Sequence, residues 1–539
     1  MSLILAFVLV NGILLAPQWA APGMVPFHWV AGEAVVLTLV FAALPRRPWS
    51  VALALLAALI VVAMGLVGLG DASARMSLSR PLNIYLDIRL LSAVSDLLTG
   101  TMGPAMATVV RTAAILLPLA VVALLGHLLA PPRRVRPVLR SYRSMGLTVL
   151  VASGILVGMR ADEGWSRALG FPGARLAAEQ ARFAAGLLEE RDAFAAELAA
   201  RPADLSGTPG LLGRLGGRDV LLAFVESYGM TALEDPRYAP TIRPRLKEMG
   251  SRLEAAGLHL ATGRLVAPSQ GGQSWLGHGS MLSGLWLHNQ MRYDLLLAST
   301  RPTLIDDFEA AGYRTAAVMP AITLAWPEGF QFGYDAIYTF EDMGYRGPPL
   351  NWVTMPDQYT WSFVERSVRR ATPEERPLFA EIGLISSHAP WTPILPVLEA
   401  WNEIGDGSVF EEWREAGERP EELWRDTERV REHYALSIDY AVHTAASYAE
   451  RFIGSDALLI LLGDHQPAPL ITGEDAPRTV PVHVITGARE LLDPFLQWGF
   501  ETGPFPDVDG EPKGMDRFRT WFIRAFSEER SSRAAGTGG

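Results

Sequence analysis

Residues 219 to 226 read Asp-Val-Leu-Leu-Ala-Phe-Val-Glu, which is a run of six apolar side chains closed by a carboxylate. An unbroken apolar run of this length is typical of a strand that is buried on both faces of a parallel sheet. Similar strands are predicted at 315–319, 378–385, 457–462 and 480–485, and helices at 303–311 and 429–452. Because strands alternate with helices, the sequence predicts an α/β domain whose mainly parallel sheet is covered by helices on both faces.

The first 160 residues have a different character, because long apolar runs dominate them. Each run is near the roughly 20 residues that a helix needs to cross a bilayer. The first run could also be a cleaved signal peptide, but it lacks a basic start and a second run follows at once, which favours a retained helix. We therefore expect a five-helix transmembrane domain over residues 1–160. The five runs are Leu3–Ala21, Met24–Leu44, Val51–Leu69, Thr112–Ala130 and Met145–Met159.

Arginines indicate which connections face the cytoplasm. Arg46 and Arg47 lie between the second and third runs, and five arginines at 133–143 lie between the fourth and fifth. Basic loops favour the cytoplasmic side, and two crossings separate these loops, so the two assignments agree. The sequence predicts a multi-pass protein of the cytoplasmic (inner) membrane, with its N-terminus inside and everything after Met159 in the periplasm or otherwise outside the cytoplasm. Residues 71–103 would form an outer loop, with an interfacial helix over 84–98.

The rest of the chain consists of segments that differ in amino-acid composition. Residues 161–218 are expected to connect the two parts through an amphipathic helix at 175–201 and a Pro/Gly-rich linker. A catalytic domain is expected at 219–528 and a disordered tail at 529–539. The net charge of −11 argues against nucleic acid as the main partner. The absence of cysteine excludes disulfides, thiolate metal sites and cysteine nucleophiles.

Polar residues follow three of the predicted strands. Glu226 ends the first strand, His388 follows the strand at 378–385, and Asp464 and His465 follow the strand at 457–462. Sites in such sheets form at the carboxyl ends of the strands. A single carboxylate there is more often a helix cap or an ion-pair partner. Two carboxylates and two imidazoles on one edge form a good set for a divalent metal ion with oxygen and nitrogen ligands.

A nucleophile can come from residues 269–284, which read SQGGQSWLGHGSMLSG. A serine-hydrolase elbow is disfavoured, because Ser274 has no glycine two residues later. A metal-bound serine alkoxide is the better chemistry, since the ion would lower the pKa of the hydroxyl. Ser280 is the competing hydroxyl in this segment, and a flexible loop without chemistry is the alternative interpretation.

The order of these motifs resembles the alkaline phosphatase/sulfatase superfamily. The resemblance rests on the strand-ending Glu226, on Ser274 about fifty residues later, on His388 after a strand, and on Gly-Asp-His at 463–465. Together with the apolar runs, it extends to the membrane-anchored branch of lipoteichoic acid synthases, phosphoglycerol transferases and phosphoethanolamine transferases.

The resemblance implies roles for individual residues. Glu226, Ser274, Asp464 and His465 would bind one divalent metal ion, Ser274 would be the nucleophile, and His388 would contact the transferred phosphate. Manganese is the expected ion, and zinc and magnesium are the alternatives. Sulfate-ester hydrolysis is disfavoured, because the residues after Ser274 do not fit the C/S-x-P-x-R motif of sulfatases.

The head group is left open by the sequence. Phosphoglycerol-binding relatives carry a Trp-x-Arg near 318–328, and here Trp326 has no matching arginine. Asp357 and Trp391 join Trp326 as candidate substrate contacts. The sequence predicts a transferase that moves a phosphoglycerol or phosphoethanolamine type of head group from a membrane phospholipid to an extracytoplasmic glycan or lipid. The alternatives are a periplasmic phosphodiesterase or sulfatase-like hydrolase and a non-catalytic lipid-binding regulator, and the sequence does not indicate an oligomeric state.

Overall fold

The computed structural model describes residues 1–88, 90–131, 168–200, 205, 207–370 and 376–527. Packing divides the chain into two units, Met1–Asp192 and Ala193–Gly539. The fifth apolar run, the arginines at 133–143 and the predicted tail lie outside the described residues.

The first unit is built mainly from apolar helices. Three helices of its described part are long and apolar enough to cross a membrane: Ser2–Ala20, Pro48–Leu78 and Met102–Leu129. The third belongs to a longer helix that is kinked at Gly103, where φ is 77°. The elements of this unit are α1 (Ser2–Ala20), β1 (Val30–Ala31), α2 (Gly32–Ala43), α3 (Pro48–Leu78), α4 (Ile84–Asp87), α5 (Leu90–Leu129), β2 (Leu169–Gly170) and α6 (Pro172–Ala199), which continues into the second unit.

The second apolar run forms a shorter helix than its length of sequence suggests. It is helical only over the 12 residues of α2. Val30 and Ala31 are extended and pair with Leu169 and Gly170, so α2 begins only at Gly32. The turn before α2 is held by Gln18, whose side-chain amide donates to the carbonyl oxygen of His28 and accepts from the N–H of His28, both at 2.8 Å. The predicted interfacial helix at 84–98 is divided between α4 and the start of α5.

Small residues let the helices of the first unit approach one another. Helix α1 packs against α2, α3 and α5, and α3 packs against α5. A Cβ atom at Gly65 of α3 would lie 2.4 Å from Cγ2 of Ile13 in α1, so the two backbones are close there. Val10, Phe41 and Ala58 belong to the buried cluster between these helices.

The second unit is an α/β domain. Its strands are β3 (Asp219–Val225), β4 (His259–Val266), β5 (Arg314–Met319), β6 (Ala336–Thr339), β7 (Leu378–Leu384), β8 (Ala457–Gly463), β9 (Thr479–Thr486), β10 (Glu501–Thr502) and β11 (Lys513–Gly514). Its helices are α7 (Thr231–Glu234), α8 (Ala239–Ala255), α9 (Ser274–Ser283), α10 (Gln290–Leu297), α11 (Leu304–Ala310), α12 (Pro327–Phe332), α13 (Asp357–Phe363), α14 (Pro420–Leu423), α15 (Thr427–Phe452), α16 (Pro469–Thr472), α17 (Asp493–Gln497) and α18 (Phe518–Phe526).

Within the described residues, the strands β3 to β11 form one sheet. Its order is β10-β4-β9-β8-β3-β7-β5-β6, and β11 pairs with β4. Strands β8, β3, β7, β5 and β6 are parallel to their neighbours in this series, whereas β9 is antiparallel to β8 and β4. The predicted mainly parallel sheet is confirmed. The carboxyl ends of β8, β3, β7 and β5 therefore meet at one edge.

The sheet is buried on both faces. Leu221 and Val225 of β3 belong to one buried cluster, and Leu222 and Phe224 belong to the cluster on the opposite face. Helices α8 and α15 pack on the first face, and α9, α11 and α18 contribute to the second. This two-sided burial is the reason for the continuous apolar run in β3.

Candidate active site

The register of the central strands brings two carboxylates together. Val225 of β3 lies opposite Gly463 of β8, so Glu226 and Asp464 leave the sheet side by side. Glycine is required at 463, because a Cβ atom there would lie 1.8 Å from the carbonyl oxygen of Tyr228. The N–H of Ser227 donates to Oδ1 of Asp464 at 2.8 Å and ties the two strand ends together.

His465 completes a group of possible metal ligands. One ligand atom each of Glu226, Asp464 and His465 lies within 4.8 Å of the other two. Nε2 of His465 is 3.5 Å from Oε1 of Glu226 and 3.6 Å from Oδ2 of Asp464. Nδ1 of His465 lies 2.9 Å from the carbonyl oxygen of Gln466, which can only accept a hydrogen bond. Nδ1 therefore carries the proton, and Nε2 offers the lone pair that a metal ion needs.

Ser274 reaches the same group from helix α9. Its Oγ lies 3.2 Å from Oε2 of Glu226 and 3.3 Å from Nε2 of His465. Ser274 is the first residue of α9, so the positive end of the helix dipole adds to this site. The helix can approach because residue 277 is glycine: a Cβ atom at Gly277 would lie 2.8 Å from the carbonyl oxygen of Asp464.

Ser280, the competing hydroxyl, has a structural role. It is completely buried, and its Oγ accepts a hydrogen bond from the N–H of Leu287 at 2.9 Å. This bond stabilises the turn that follows α9. The geometry therefore favours Ser274 over Ser280 as the reactive hydroxyl.

The carboxyl groups of Glu226 and Asp464 have different pKa values, because several charged groups lie close together in the site. Burial acts to raise the pKa of Glu226, but the charges of His465 and His388 lower it to about 2. Burial and the nearby charge of Glu226 raise the pKa of Asp464 to about 6. Burial acts to lower the pKa of His465, but the charges of Asp464 and Glu226 outweigh it and raise the pKa. A buried carboxylate and a half-buried one this close together form a negative site that favours a cation.

His388 lies in the loop after β7, at the same edge of the sheet. Its half-buried side chain is near enough for its charge to act on Glu226. The hydroxyl of Ser387 donates to the carbonyl oxygen of Glu226 at 2.6 Å and so fixes this loop to the end of β3. Nδ1 of His388 lies 2.5 Å from the carbonyl oxygen of Ala389, which leaves Nε2 as the basic nitrogen.

The three predicted substrate contacts differ in accessibility. Trp326 is half-buried in the loop after β5. Asp357 is completely buried; its Oδ1 accepts from the N–H groups of Ile385 and Ser386 at 2.8 and 2.9 Å, and burial raises its pKa to about 6. Trp391 is also buried, and its indole N–H donates to the carbonyl oxygen of Ser387 at 2.8 Å. Asp357 and Trp391 thus hold the loop of His388, and their contact with a substrate stays a prediction.

A second cluster, which the sequence analysis missed, lies beneath the site. Nδ1 of His278 lies 2.7 Å from Oε1 of Glu381, and the hydroxyl of Tyr334 donates to Oε2 of the same carboxylate. The imidazole of His278 stacks on the ring of Phe224, with centroids 3.7 Å apart. The charge of His278 also acts on Asp464, so the cluster is coupled electrostatically to the site.

Two signals in the sequence could have identified this cluster. His278 is four residues after Ser274, which places both side chains on one face of a helix. Glu381 stands inside the apolar strand β7, and a buried carboxylate requires a partner. Neither signal identifies the partner, because 103 residues separate His278 from Glu381.

No family model and no curated protein matches this sequence. Among solved structures, the chain is similar to the lipoteichoic acid synthase LtaP from Listeria monocytogenes, with 11% identity, a TM-score of 0.39, and coverage of 61% of this chain and 78% of that one. It is also similar to the phosphoglycerol transferase GacH from Streptococcus pyogenes, with 12% identity, a TM-score of 0.32, and coverage of 55% and 74%. A third similarity is to the alkaline phosphatase from the Antarctic bacterium TAB5, with 8% identity, a TM-score of 0.27, and coverage of 60% and 100%. Because every score is below 0.5, the chemistry proposed for this chain rests on the geometry of its own site.

Proposed function

We propose that this protein is a metal-dependent phosphotransferase that moves a phospho-head group from a membrane phospholipid to an extracytoplasmic glycan or lipid acceptor. The head group would be of the phosphoglycerol or phosphoethanolamine type. The observation that carries the proposal is the position of Ser274, whose Oγ lies 3.2 Å from Glu226 and 3.3 Å from His465 at the start of α9. A hydroxyl that lies beside a carboxylate and an imidazole, at the N-terminus of a helix, is suited to attack the phosphorus of a phosphate ester.

The residues at this edge fit one divalent ion. Glu226 and Asp464 offer carboxylate oxygens, His465 offers Nε2, and Ser274 offers its hydroxyl oxygen. Asp464 and His465 are buried, and Glu226 and Ser274 are half-buried. Manganese suits this mixture of oxygen and nitrogen donors, as do magnesium and zinc. When bound, such an ion would lower the pKa of the serine hydroxyl and neutralise charge on the phosphate.

The first step is carried by the residues of the chain. Oγ of Ser274 attacks the phosphorus of the lipid phosphodiester and passes its proton to the carboxylate of Asp464, which is the less acidic of the two carboxyl groups. The bond between phosphorus and the diacylglycerol oxygen breaks, and the proton taken from Ser274 passes from the carboxylate to that oxygen, which leaves as diacylglycerol. When the imidazole of His388 also carries a proton on Nε2, this N–H and the N-terminal N–H groups of α9 stabilise the negative charge that develops on the phosphate oxygens.

The second step reverses the chemistry with a different alcohol. A hydroxyl of the acceptor attacks the phosphorus of phospho-Ser274, and the acceptor proton returns to Oγ of Ser274 as that oxygen leaves. Both substrates belong outside the cytoplasm, in agreement with the predicted arrangement of an inner-membrane protein with an external catalytic domain. Residues 1–160 would keep the domain close to its lipid donor.

The proposal is tested by trapping the covalent intermediate. The purified full-length protein is incubated with manganese and either phosphatidylglycerol or phosphatidylethanolamine, without a glycan. We expect release of diacylglycerol and a mass increase on the peptide that contains Ser274, with only one of the two lipids as the efficient donor. Ser274→Ala should abolish both signals, whereas the matched variant Ser280→Ala should retain them. Diacylglycerol release by Ser274→Ala would refute the mechanism, and release of free head group to water would favour the hydrolase.

A further inference from the structure

Exposed apolar side chains lie in elements that neighbour the site. Phe330 is 78% exposed, Leu324 is 68% exposed and Trp275, the residue after Ser274, is 37% exposed. Together with the half-buried Trp326, these residues are called the apolar rim. Large apolar groups that cluster at the surface of a folded domain indicate contact with an apolar partner.

The rim lies at the same edge of the sheet as the site. Leu324 and Trp326 belong to the loop after β5, and β5 is parallel to β7, which is parallel to β3. The carboxyl end of β5 therefore lies on the edge where Glu226 leaves β3. Phe330 follows in α12, directly after this loop.

Packing links the two sides of the rim. The indole N–H of Trp275 donates to Oε1 of Gln290 at 2.9 Å, at the start of α10. Helix α10 packs against α12, where the rings of Tyr293 and Phe332 lie 6.3 Å apart. Trp275 and Phe330 are thus carried by adjoining elements.

The rim is held in place by the fold. The hydroxyl of Thr354 donates to the carbonyl oxygen of Pro320 at 2.7 Å, and the N–H of Phe340 donates to the carbonyl oxygen of Ile322 at 3.0 Å. The ring of Trp326 packs over Gly329, where a Cβ atom would lie 2.3 Å from it. The exposed side chains are therefore presented by an anchored loop.

We propose that the apolar rim inserts into the interfacial layer of a phospholipid bilayer. A bilayer is the expected partner, because three of the described helices are long and apolar enough to cross a membrane and would hold the chain there. Residues 321–332 carry a single charged side chain, Glu328. Tryptophan is enriched at the boundary between water and lipid, because its ring is largely apolar and its indole N–H is polar. Phenylalanine adds apolar surface that can enter the lipid. The inference requires the membrane but does not require the proposed reaction.

The absence of cysteine from this chain makes a direct test possible. Single cysteines are introduced as Leu324→Cys and Phe330→Cys, and a spin label is attached to each in the full-length protein. Leu496→Cys is the matched control: Leu496 is 36% exposed in α17, after the end of the antiparallel strand β9 and so at the opposite edge of the sheet. The proteins are reconstituted in vesicles of phosphatidylethanolamine and phosphatidylglycerol, and collisions with oxygen and with a water-soluble nickel complex are measured.

We expect the labels at 324 and 330 to collide more with oxygen and several-fold less with nickel than the label at 496, because oxygen concentrates in lipid. Nickel accessibility equal to that at 496 would overturn the inference, since the rim would then face water. Low accessibility to both reagents would overturn it as well, because the rim would then be covered by protein, such as a second copy of the chain. The same measurement in a Ser274→Ala background separates this result from the failure of the proposed reaction.

Discussion

Nδ1 of His278 lies 2.7 Å from Oε1 of Glu381, in a pair that connects helix α9 to the middle of strand β7. Glu381 lies beside Leu222 of β3 and Ala317 of β5 in the sheet, so the pair is anchored in the most buried part of the domain. The carboxylate is almost fully buried and accepts hydrogen bonds from both His278 and Tyr334. Because Ser274 stands one helical turn before His278, the pair sets the position of the proposed nucleophile.

Replacing Glu381 by glutamine should therefore lower both stability and activity. Glutamine keeps one oxygen acceptor but cannot accept from His278 and Tyr334 together, and an unsatisfied buried polar group costs about 1–3 kcal/mol. Displacement of Ser274 should reduce the rate of head-group transfer on the order of 10- to 100-fold. Thermal unfolding and transfer assays measure the two effects. Tyr334→Phe is the control, because it leaves the bond between His278 and Glu381 intact and should stay near wild-type activity. Wild-type activity in Glu381→Gln would reduce the pair to a packing role.

Removal of the Ser274 hydroxyl should be more severe than any change around it. Ser274→Ala should lower transfer on the order of 10⁴-fold or more, as expected for loss of a nucleophile, with little change in the unfolding temperature. Ser280→Ala should show the opposite pattern, because the N–H of Leu287 loses its acceptor while the site keeps its hydroxyl. Ser274→Thr should retain part of the activity. Loss of activity in Ser280→Ala with normal activity in Ser274→Ala would contradict this assignment.

The strand ends were predictable, and the contacts between them were not. Glu226, Asp464 and His465 are found from sequence because each follows a continuous apolar run, and parallel strands bring such ends to one edge. The register that sets Val225 opposite Gly463 is not encoded in any local pattern. It arises from the packing of both faces of the sheet.

Residue type was a weaker guide around the site. Asp357 and Trp391 are candidate substrate contacts by sequence, but both are buried in the structure, and burial cannot be seen in a single sequence. The partner of Glu381 could not be predicted, because His278 lies 103 residues away in the sequence. In the first unit, apolar composition predicted the second run as a full crossing, and the structure has a helix of 12 residues there. Residues 30–31 are extended there and pair with residues 169–170, a long-range contact that local composition does not reveal.

The proposed metal ligands should control the metal content of the protein. Glu226→Gln or Asp464→Asn should weaken manganese binding by more than about 100-fold, which exceeds the effect typical of residues that only support a ligand. Elemental analysis and manganese titration of the purified full-length protein measure this loss. Glu501→Gln is the control, because Glu501 is exposed in β10. Equal metal content in Glu226→Gln, Asp464→Asn and Glu501→Gln would exclude the proposed ligand set.

Asp357 should give the stability of the domain a specific dependence on pH. Burial raises the pKa of Asp357 from its ordinary value of 3.8 to about 6 in the folded protein. The folded state therefore holds a proton that the unfolded chain loses between these values, so folded stability falls as the pH rises through this window. The loss reaches about 3 kcal/mol and is complete above the folded pKa.

Asp357→Asn isolates this effect, because asparagine cannot ionise but keeps an oxygen for the N–H groups of Ile385 and Ser386. The unfolding temperature of the wild type, relative to that of the variant, should fall between pH 4 and pH 6.5. Parallel profiles for the two proteins would show that Asp357 keeps an ordinary pKa.

The membrane arrangement is tested by reporter fusions, and the short helix α2 makes the N-terminus the critical position. A reporter after Arg160 should be active only outside the cytoplasm, and one near Arg136 only inside, because basic loops favour the cytoplasm.

An N-terminal tag should be cytoplasmic if the second apolar run crosses the bilayer. The 12 residues of α2 span about 18 Å as a helix, less than the roughly 30 Å hydrocarbon core, so a crossing requires the segment before α2 to contribute. An external N-terminal tag together with an internal Arg136 reporter would show that this run does not cross. An internal reporter after Arg160 would contradict the access of Ser274 to lipid on the outer side.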